Sequence, residues 1–293
     1  MITRHHIRIK VMQIVYRNEI NPFKDFSYLK QQQILDQDFI NNEKLFLYLL
    51  LFFVKIGDCV HKIADRKAAK FFPNAQDINY SRKLATNSLL LEFKKVLYEK
   101  NQINQTLENN IDNNLVLSLF SSFAETPLYQ DYINPSTTVS DKAVISYLWE
   151  EILLENQQFW EHVEMFFPSF ESDLDWINVY LNNFFTLKPK YVNCPIVDKP
   201  KVEFAVQLLK FTTEKWKDFD IEIKAKLVNW EEERLALIDI ILCKMALTEF
   251  LYFESIPTTV TLNEYIEIAK IYSTEKSGKF INGILDTLCK EWK

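Results

Sequence analysis

The sequence predicts an all-helical protein. Only 3 glycines occur among 293 residues, and apolar residues recur at three- and four-residue steps over long stretches, the spacing of one helix face. Hydrophobic residues make up 48% of the chain. That is material for one large domain or two modest ones, each with its own core.

Residues 3–20 read as one helix, with Thr3 as its cap and Ile7, Val11, Ile14 and Val15 as its buried stripe. Arg4 and Arg8 stand one turn apart on a different face, beside His5 and His6. Two guanidiniums at that spacing can engage successive phosphates, and histidine rings can stack on unpaired bases. A solvated basic helix end is the plainer alternative. Lys10 adds a cation close by, and with Arg17 these residues face no acid over residues 1–17.

Leu45–Val54 is a run of 10 apolar residues. A membrane-spanning helix needs roughly 20, so this run is expected to be a buried core helix. A basic segment follows at Lys62, Arg66, Lys67 and Lys70. It has the composition of a nucleic-acid surface and, more simply, of a charged helix face. Residues 83–100 and 141–166 show further helical periodicity, the latter through Val144, Leu148, Leu153 and Leu154. Residues 101–114, rich in Asn and Gln, read as a polar bridge or helix surface. Thr126-Pro127, Asn134–Thr137, Pro168 and Lys188–Pro195 are expected to mark loops.

Phe204, Leu208 and Leu209 begin a further helix. Arg234–Tyr252 carries a stripe of Leu237, Ile241 and Met245. Two amphipathic helices end the sequence, with Pro257 closing what precedes them. Thr261 and Glu264 have capping-box spacing, and Leu262, Ile266 and Ala269 make the first stripe. Ser273–Gly278 forms the turn. Phe280, Ile284 and Leu288 make the second stripe, with Ile281 and Leu285 beside it. Gly283 lies inside that last helix at a cost of roughly 1 kcal/mol against Ala, which suggests another backbone passing close by.

Several function classes are disfavoured. No G-x-G-x-x-G or G-K-[ST] loop is present, against dinucleotide, methyl-donor and nucleoside-triphosphate enzymes. Cys59, Cys194, Cys243 and Cys289 are scattered without a C-x-x-C pair, so buried, reduced thiols are expected rather than a zinc site or disulfides. His61 and His162 are isolated, and Glu150, Glu151, Glu161 and Glu164 read as solvated helix faces. No secretory signal is evident at MITRHHIRIK, and a cytoplasmic protein is expected. The net charge of −6 does not exclude a local basic patch for nucleic acid.

The strings Asn263–Lys270 (NEYIEIAK) and Gly278–Asp286 (GKFINGILD) resemble the C-terminal signature of the NusB family of transcription antitermination factors. Agreement extends upstream through Asn229-Trp230, Arg234, Ile238-Asp239, Met245–Leu247 and Glu249. Gln13-Ile14-Val15-Tyr16 is similar to the first family helix. The resemblance implies an all-α, NusB-like helical bundle with a large helical insertion after the first helix. Residues 1–20 would be the basic helix, 21–199 the insertion and 200–293 the C-terminal domain.

It further implies binding of single-stranded boxA-type RNA through Arg4, His5, His6, Arg8, Lys10, Tyr272, Lys276, Lys279 and Phe280. Two arginines of the family pattern stand here as His5 and His6. Lys276 and Lys279 flank a helix start, where free N–H groups favour phosphate. The implied protein partner is NusE, a small-subunit ribosomal protein, met through Asp239, Lys244 and Tyr16. The resemblance implies assembly with RNA polymerase and other Nus factors, chiefly on ribosomal RNA operons, with no catalysis, cofactor, metal or membrane. A helical adaptor without RNA binding is the first alternative. An RNA-modification protein is the second, disfavoured by the missing glycine-rich motif and the end at Lys293.

Overall fold

The computed structural model describes residues 2–21, 27–99, 105–186, 196–226 and 236–291. Every regular element among them is helical. In chain order these are α1 (Arg4–Ile20), α2 (Tyr28–Ala68), α3 (Ala75–Ile78), α4 (Ser88–Lys94), α5 (Gln105–Asn109), α6 (Asn113–Ala124), α7 (Pro127–Ile133) and α8 (Asp141–Tyr147). Then come α9 (Gln157–Glu164), α10 (Leu174–Thr186), α11 (Lys199–Glu214), α12 (Trp216–Lys226), α13 (Leu237–Tyr252), α14 (Thr258–Tyr272) and α15 (Ser277–Glu291). Both α4 and α8 run on into π-helical turns, at Lys95–Glu99 and Leu148–Leu153.

The chain forms two compact units, one from Met1–Ile40 with Ile196–Lys293 and the other from Asn41–Pro195. The second is built around the middle of α2. Tyr48 through Val54 are fully buried, because a helix apolar on every side must be covered on every side. Phe53 meets Phe93, Trp149 and Phe185 at ring-centroid distances of 5.5, 6.0 and 5.8 Å. The expected core helix is therefore present. No helix among the described residues is long and apolar enough to cross a membrane.

Gly57, also on α2, is where another element comes close. A Cβ there would lie 2.3 Å from Leu90 Cδ1 of α4. A Cβ added at Gly283 would meet nothing within 4 Å beyond its own helix, so the close approach expected at Gly283 is absent among the described residues. Thr126-Pro127 is a helix start rather than a loop. The Thr126 side chain accepts from the Tyr129 N–H, and Pro127 holds the first position of α7, where a missing N–H costs nothing.

In the first unit, α13 is central. It packs against α1, α11, α12, α14 and α15, and Ile241 through Glu249 are all buried. The expected stripe of Leu237, Ile241 and Met245 is thus too narrow. In α14 the buried residues are Thr261, Tyr265, Ile268 and Ala269, whereas Leu262 and Ile266 are half-buried. The α15 stripe stands as expected, with Phe280, Ile281, Ile284, Leu285 and Leu288 all buried. Cys59 and Cys243 are buried free thiols, and burial pushes the Cys59 thiol up to about 12. Cys194, Asn229, Trp230, Arg234 and the stretch 188–195 lie outside the described residues, as does the Cys289 side chain.

Candidate nucleic-acid interface

The N-terminal turn of α1 is held from within. The Thr3 side chain accepts from the His6 N–H at 3.4 Å, and its Oγ1 lies 2.7 Å from His6 Nδ1. Arg4 is exposed and lays its guanidinium over the Phe204 ring of α11, 5.3 Å from the centroid. That contact orients the side chain while leaving its N–H groups to solvent. His5, half-buried, places Nδ1 2.8 Å from Glu264 Oε2 of α14. Its hydrogen bond is the main reason that the Glu264 carboxyl is held below its ordinary value; burial opposes the shift and Arg8 reinforces it.

Arg8 does not stand on a solvent face. Its side chain is 2% exposed, with Nε 2.7 Å from Glu249 Oε1 and Nη2 2.8 Å from Glu249 Oε2. The Glu249 carboxylate accepts two further bonds, from the Thr261 hydroxyl at 3.1 Å and the Tyr265 hydroxyl at 2.7 Å. A buried ion pair repays its desolvation only when the remaining lone pairs are satisfied, and four donors on two oxygens achieve that here. Burial alone would lower the Arg8 pKa. The bond to Glu249 and the surrounding groups outweigh it and raise the pKa.

The pairing corrects the expectation that Arg4 and Arg8 grip successive phosphates, since only Arg4 reaches the surface. Lys10 is buried as well. The physical reason is that α1 is covered along most of its surface, with Ile7 through Met12 all buried. Thr261 serves Glu249 and not a capping box; α14 begins at Thr258 behind Pro257, without a side-chain cap.

At the other end of α14 the turn into α15 presents Lys276 and Lys279, both exposed. Tyr272 is half-buried, and Phe280 is buried in the α15 stripe. Phe280 therefore offers no stacking face, contrary to expectation. From Glu264 to Tyr272 is two turns of helix, about 12 Å. The structure thus places His5 against the first half of α14 with Arg4 over α11, and Lys276 and Lys279 beyond the last turn of α14.

The expected partner residues are mostly interior. Asp239 is 4% exposed. The Ser277 hydroxyl donates to Asp239 Oδ2 at 2.7 Å and accepts from the Thr274 N–H at 3.1 Å. Asp239 thus ties the start of α13 to the start of α15. Lys244 is 1% exposed, with Nζ 2.5 Å from Asp220 Oδ1 and 3.4 Å from the Trp216 ring centroid. Burial drives its pKa down, opposed by Asp220. Neither residue presents charge to a partner. Tyr16 is half-buried.

Sequence reasoning missed Glu249, Tyr265, Ser277 and Phe204 as parts of this architecture. The available signal was Glu249 itself, an acid set among apolar residues of α13, where an unpaired charge would be prohibitive.

The comparisons bear on the same helices. The NusB family model matches residues 178–290. The transcription antitermination protein NusB of Chloroherpeton thalassium is 41% identical over 98 residues, which are 33% of this chain and 46% of that protein. The Salinibacter ruber protein of the same name is 42% identical over 98 residues, 33% of this chain and 61% of its own length. That of Listeria monocytogenes is 46% identical over 76 residues, 26% of this chain and 59% of its own length. A solved structure of T. maritima NusB is 33% identical and covers 39% of this chain and 84% of its own, at a TM-score of 0.31.

Residues 178–290 are a NusB-family segment.

The alignments span less than two thirds of the length of these curated NusB proteins. The NusB match begins inside α10 and takes in α11 through α15, so α1 lies outside it. What joins α1 to the NusB segment is tertiary. The Ile2 N–H donates to the Ile196 carbonyl at 2.9 Å, α1 packs against α11 and α13, and Arg8 closes on Glu249.

Proposed function

We propose that this protein acts in transcription antitermination. In that reading it binds single-stranded boxA-type RNA together with NusE and joins the RNA polymerase complex with other Nus factors. It does so in the cytoplasm, chiefly on ribosomal RNA operons, and without catalysis of its own. The observation that carries the reading is the NusB segment over residues 178–290, whose relatives are named transcription antitermination proteins. The docking of α1 on α13 supports including the basic turn.

Arg4 and His6 are the proposed RNA contacts on α1, with Lys276, Lys279 and Tyr272 at the far end of α14. His5 and Arg8 hold the turn in place through Glu264 and Glu249. Tyr16 is the remaining candidate for the NusE surface. The stretch 21–199 is proposed as an insertion up to the start of the NusB match at residue 178, carried between the basic helix and the rest of the NusB-like part.

The test is fluorescence anisotropy with boxA RNA and a scrambled control, with and without NusE. Wild type is expected to prefer boxA and to bind more tightly with NusE. Arg4→Ala and Lys276→Ala/Lys279→Ala should each weaken binding several-fold while leaving the melting curve unchanged. Equally poor binding by wild type and both variants, even with NusE, would overturn the RNA role. It would leave a helical adaptor, a reading favoured by the burial of Arg8 and Lys10.

A further inference from the structure

The second unit carries a surface that the reading above does not use. At the end of α2, Phe71 and Phe72 are 90% and 86% exposed. Their rings meet edge-to-face, with centroids 4.8 Å apart and planes at 90°. Two adjacent phenylalanines in open water forfeit the stabilisation that burial would give them, and nothing in the fold of this unit recovers it.

Cations lead up to the pair. Lys62 and Arg66 are exposed on α2 one turn apart. The Ala69 and Lys70 N–H groups return to the Asp65 and Lys67 carbonyls, so the turn continues and Lys70 follows Arg66 by a further turn. These steps of about 6 Å are comparable with the spacing of successive phosphates along a strand. Lys67 lies over the Tyr80 ring, 4.2 Å from its centroid. The two acids of residues 61–83 are already engaged, Asp65 by Arg82 and Asp77 by Lys70, each at 2.7 Å. The stretch therefore keeps a net positive charge in a chain whose total is −6. Favourable cations at a helix C-terminus explain Arg66 and Lys67, but not the two exposed rings.

We propose that Lys62, Arg66, Lys67, Lys70, Phe71 and Phe72 form a binding site for single-stranded RNA in the second unit. Phosphates lie along the cationic row, and unpaired bases stack on the perpendicular phenyl faces. This combination of a basic track and exposed aromatic platforms is what sequence-tolerant single-strand binding requires. A protein partner would want the rings set in a wider apolar surface, and a membrane anchor more apolar area than two rings supply. The site is distinct from the α1 turn and stands whether or not that turn binds RNA. The choice of RNA over DNA rests on the transcription reading.

The full-length protein would be titrated with unstructured RNA lacking boxA, and with DNA of the same sequence. Variants are Phe71→Ala/Phe72→Ala, Lys62→Ala/Arg66→Ala and Arg4→Ala, all at exposed positions. RNA carrying 4-thiouridine would be photo-crosslinked to locate the contact. The phenylalanine variant is expected to lose about tenfold in affinity. The cation variant should flatten the slope of log affinity against log salt by about 1.4. Crosslinks should fall on the peptide containing Phe71 and Phe72. Loss with Arg4→Ala alone, and crosslinks only in α1, would overturn this site while sparing the proposed function. Loss with the phenylalanine and cation variants but not with Arg4→Ala would support this site and leave the proposed function to its own boxA test. Tighter binding to DNA than to RNA, or capture by phosphatidylserine vesicles in place of RNA, would overturn the proposal, as would no binding by wild type.

Discussion

Arg8 and Glu249 show how one pair can look functional in sequence and be structural in three dimensions. The Glu249 carboxylate is shared among a guanidinium and two hydroxyls, so removing its charge leaves Arg8 buried without a counter-ion. Glu249→Gln is expected to destabilise the first unit by about 3–5 kcal/mol, measured as a lower urea midpoint for tryptophan fluorescence. Arg8→Lys should also destabilise, because an ammonium cannot reproduce the two-point fork. Glu264 gives a pH prediction. Its pKa is lowered from the ordinary 4.5, by His5 first and by Arg8 as well. A carboxyl depressed in the folded state contributes stability that is complete above 4.5 and lost as pH falls through the folded value. The urea midpoint should therefore drop between about pH 5 and pH 3, and Glu264→Gln should drop less over that range. An identical pH dependence in the variant would show that the ion pair contributes nothing.

The α14–α15 pair shows which local rules decide an element. Gly283 is exposed inside α15 with open space around its Cα. Gly283→Ala should accordingly gain about 1 kcal/mol from helix propensity alone, read as a higher melting temperature with RNA binding unchanged. Gly57 is the opposite case, a glycine in α2 whose missing Cβ makes room for Leu90. The turn between α14 and α15 is fixed by Ser277, which satisfies the Thr274 N–H and reaches Asp239. That places Lys276 and Lys279 at a helix start by a buried polar contact and not by their own charge.

Over the whole molecule, the acidic total and the exposed cations pull in opposite directions. A strand at the first unit's proposed interface would meet Arg4, Lys276 and Lys279, three phosphate contacts at most. The expected slope of log affinity against log salt is then about −2 for the first unit. Retention of that slope in an Arg4→Ala/Lys276→Ala/Lys279→Ala variant would place the contacts elsewhere. The two units differ in what they bury. The first gathers its helices around α13 with paired charges inside, and the second surrounds α2 with aromatic rings.

The sequence by itself determined the helical class, the apolar run of α2, the Thr3 cap and the α15 stripe. These follow from periodicity and from side-chain chemistry within a few residues, which need no knowledge of neighbours. The strings Asn263–Lys270 and Gly278–Asp286 likewise carried the family. Only the tertiary structure decided which cations reach solvent. Arg4 and Arg8 are one turn apart on the same helix, yet one lies over Phe204 at the surface and the other is enclosed by Glu249, Glu264 and Tyr265. Asp239 and Lys244 are buried for a reason of the same kind. Whether a charge is solvated or buried depends on partners distant in sequence, here Ser277 for Asp239 and Asp220 for Lys244, and local spacing holds no record of them.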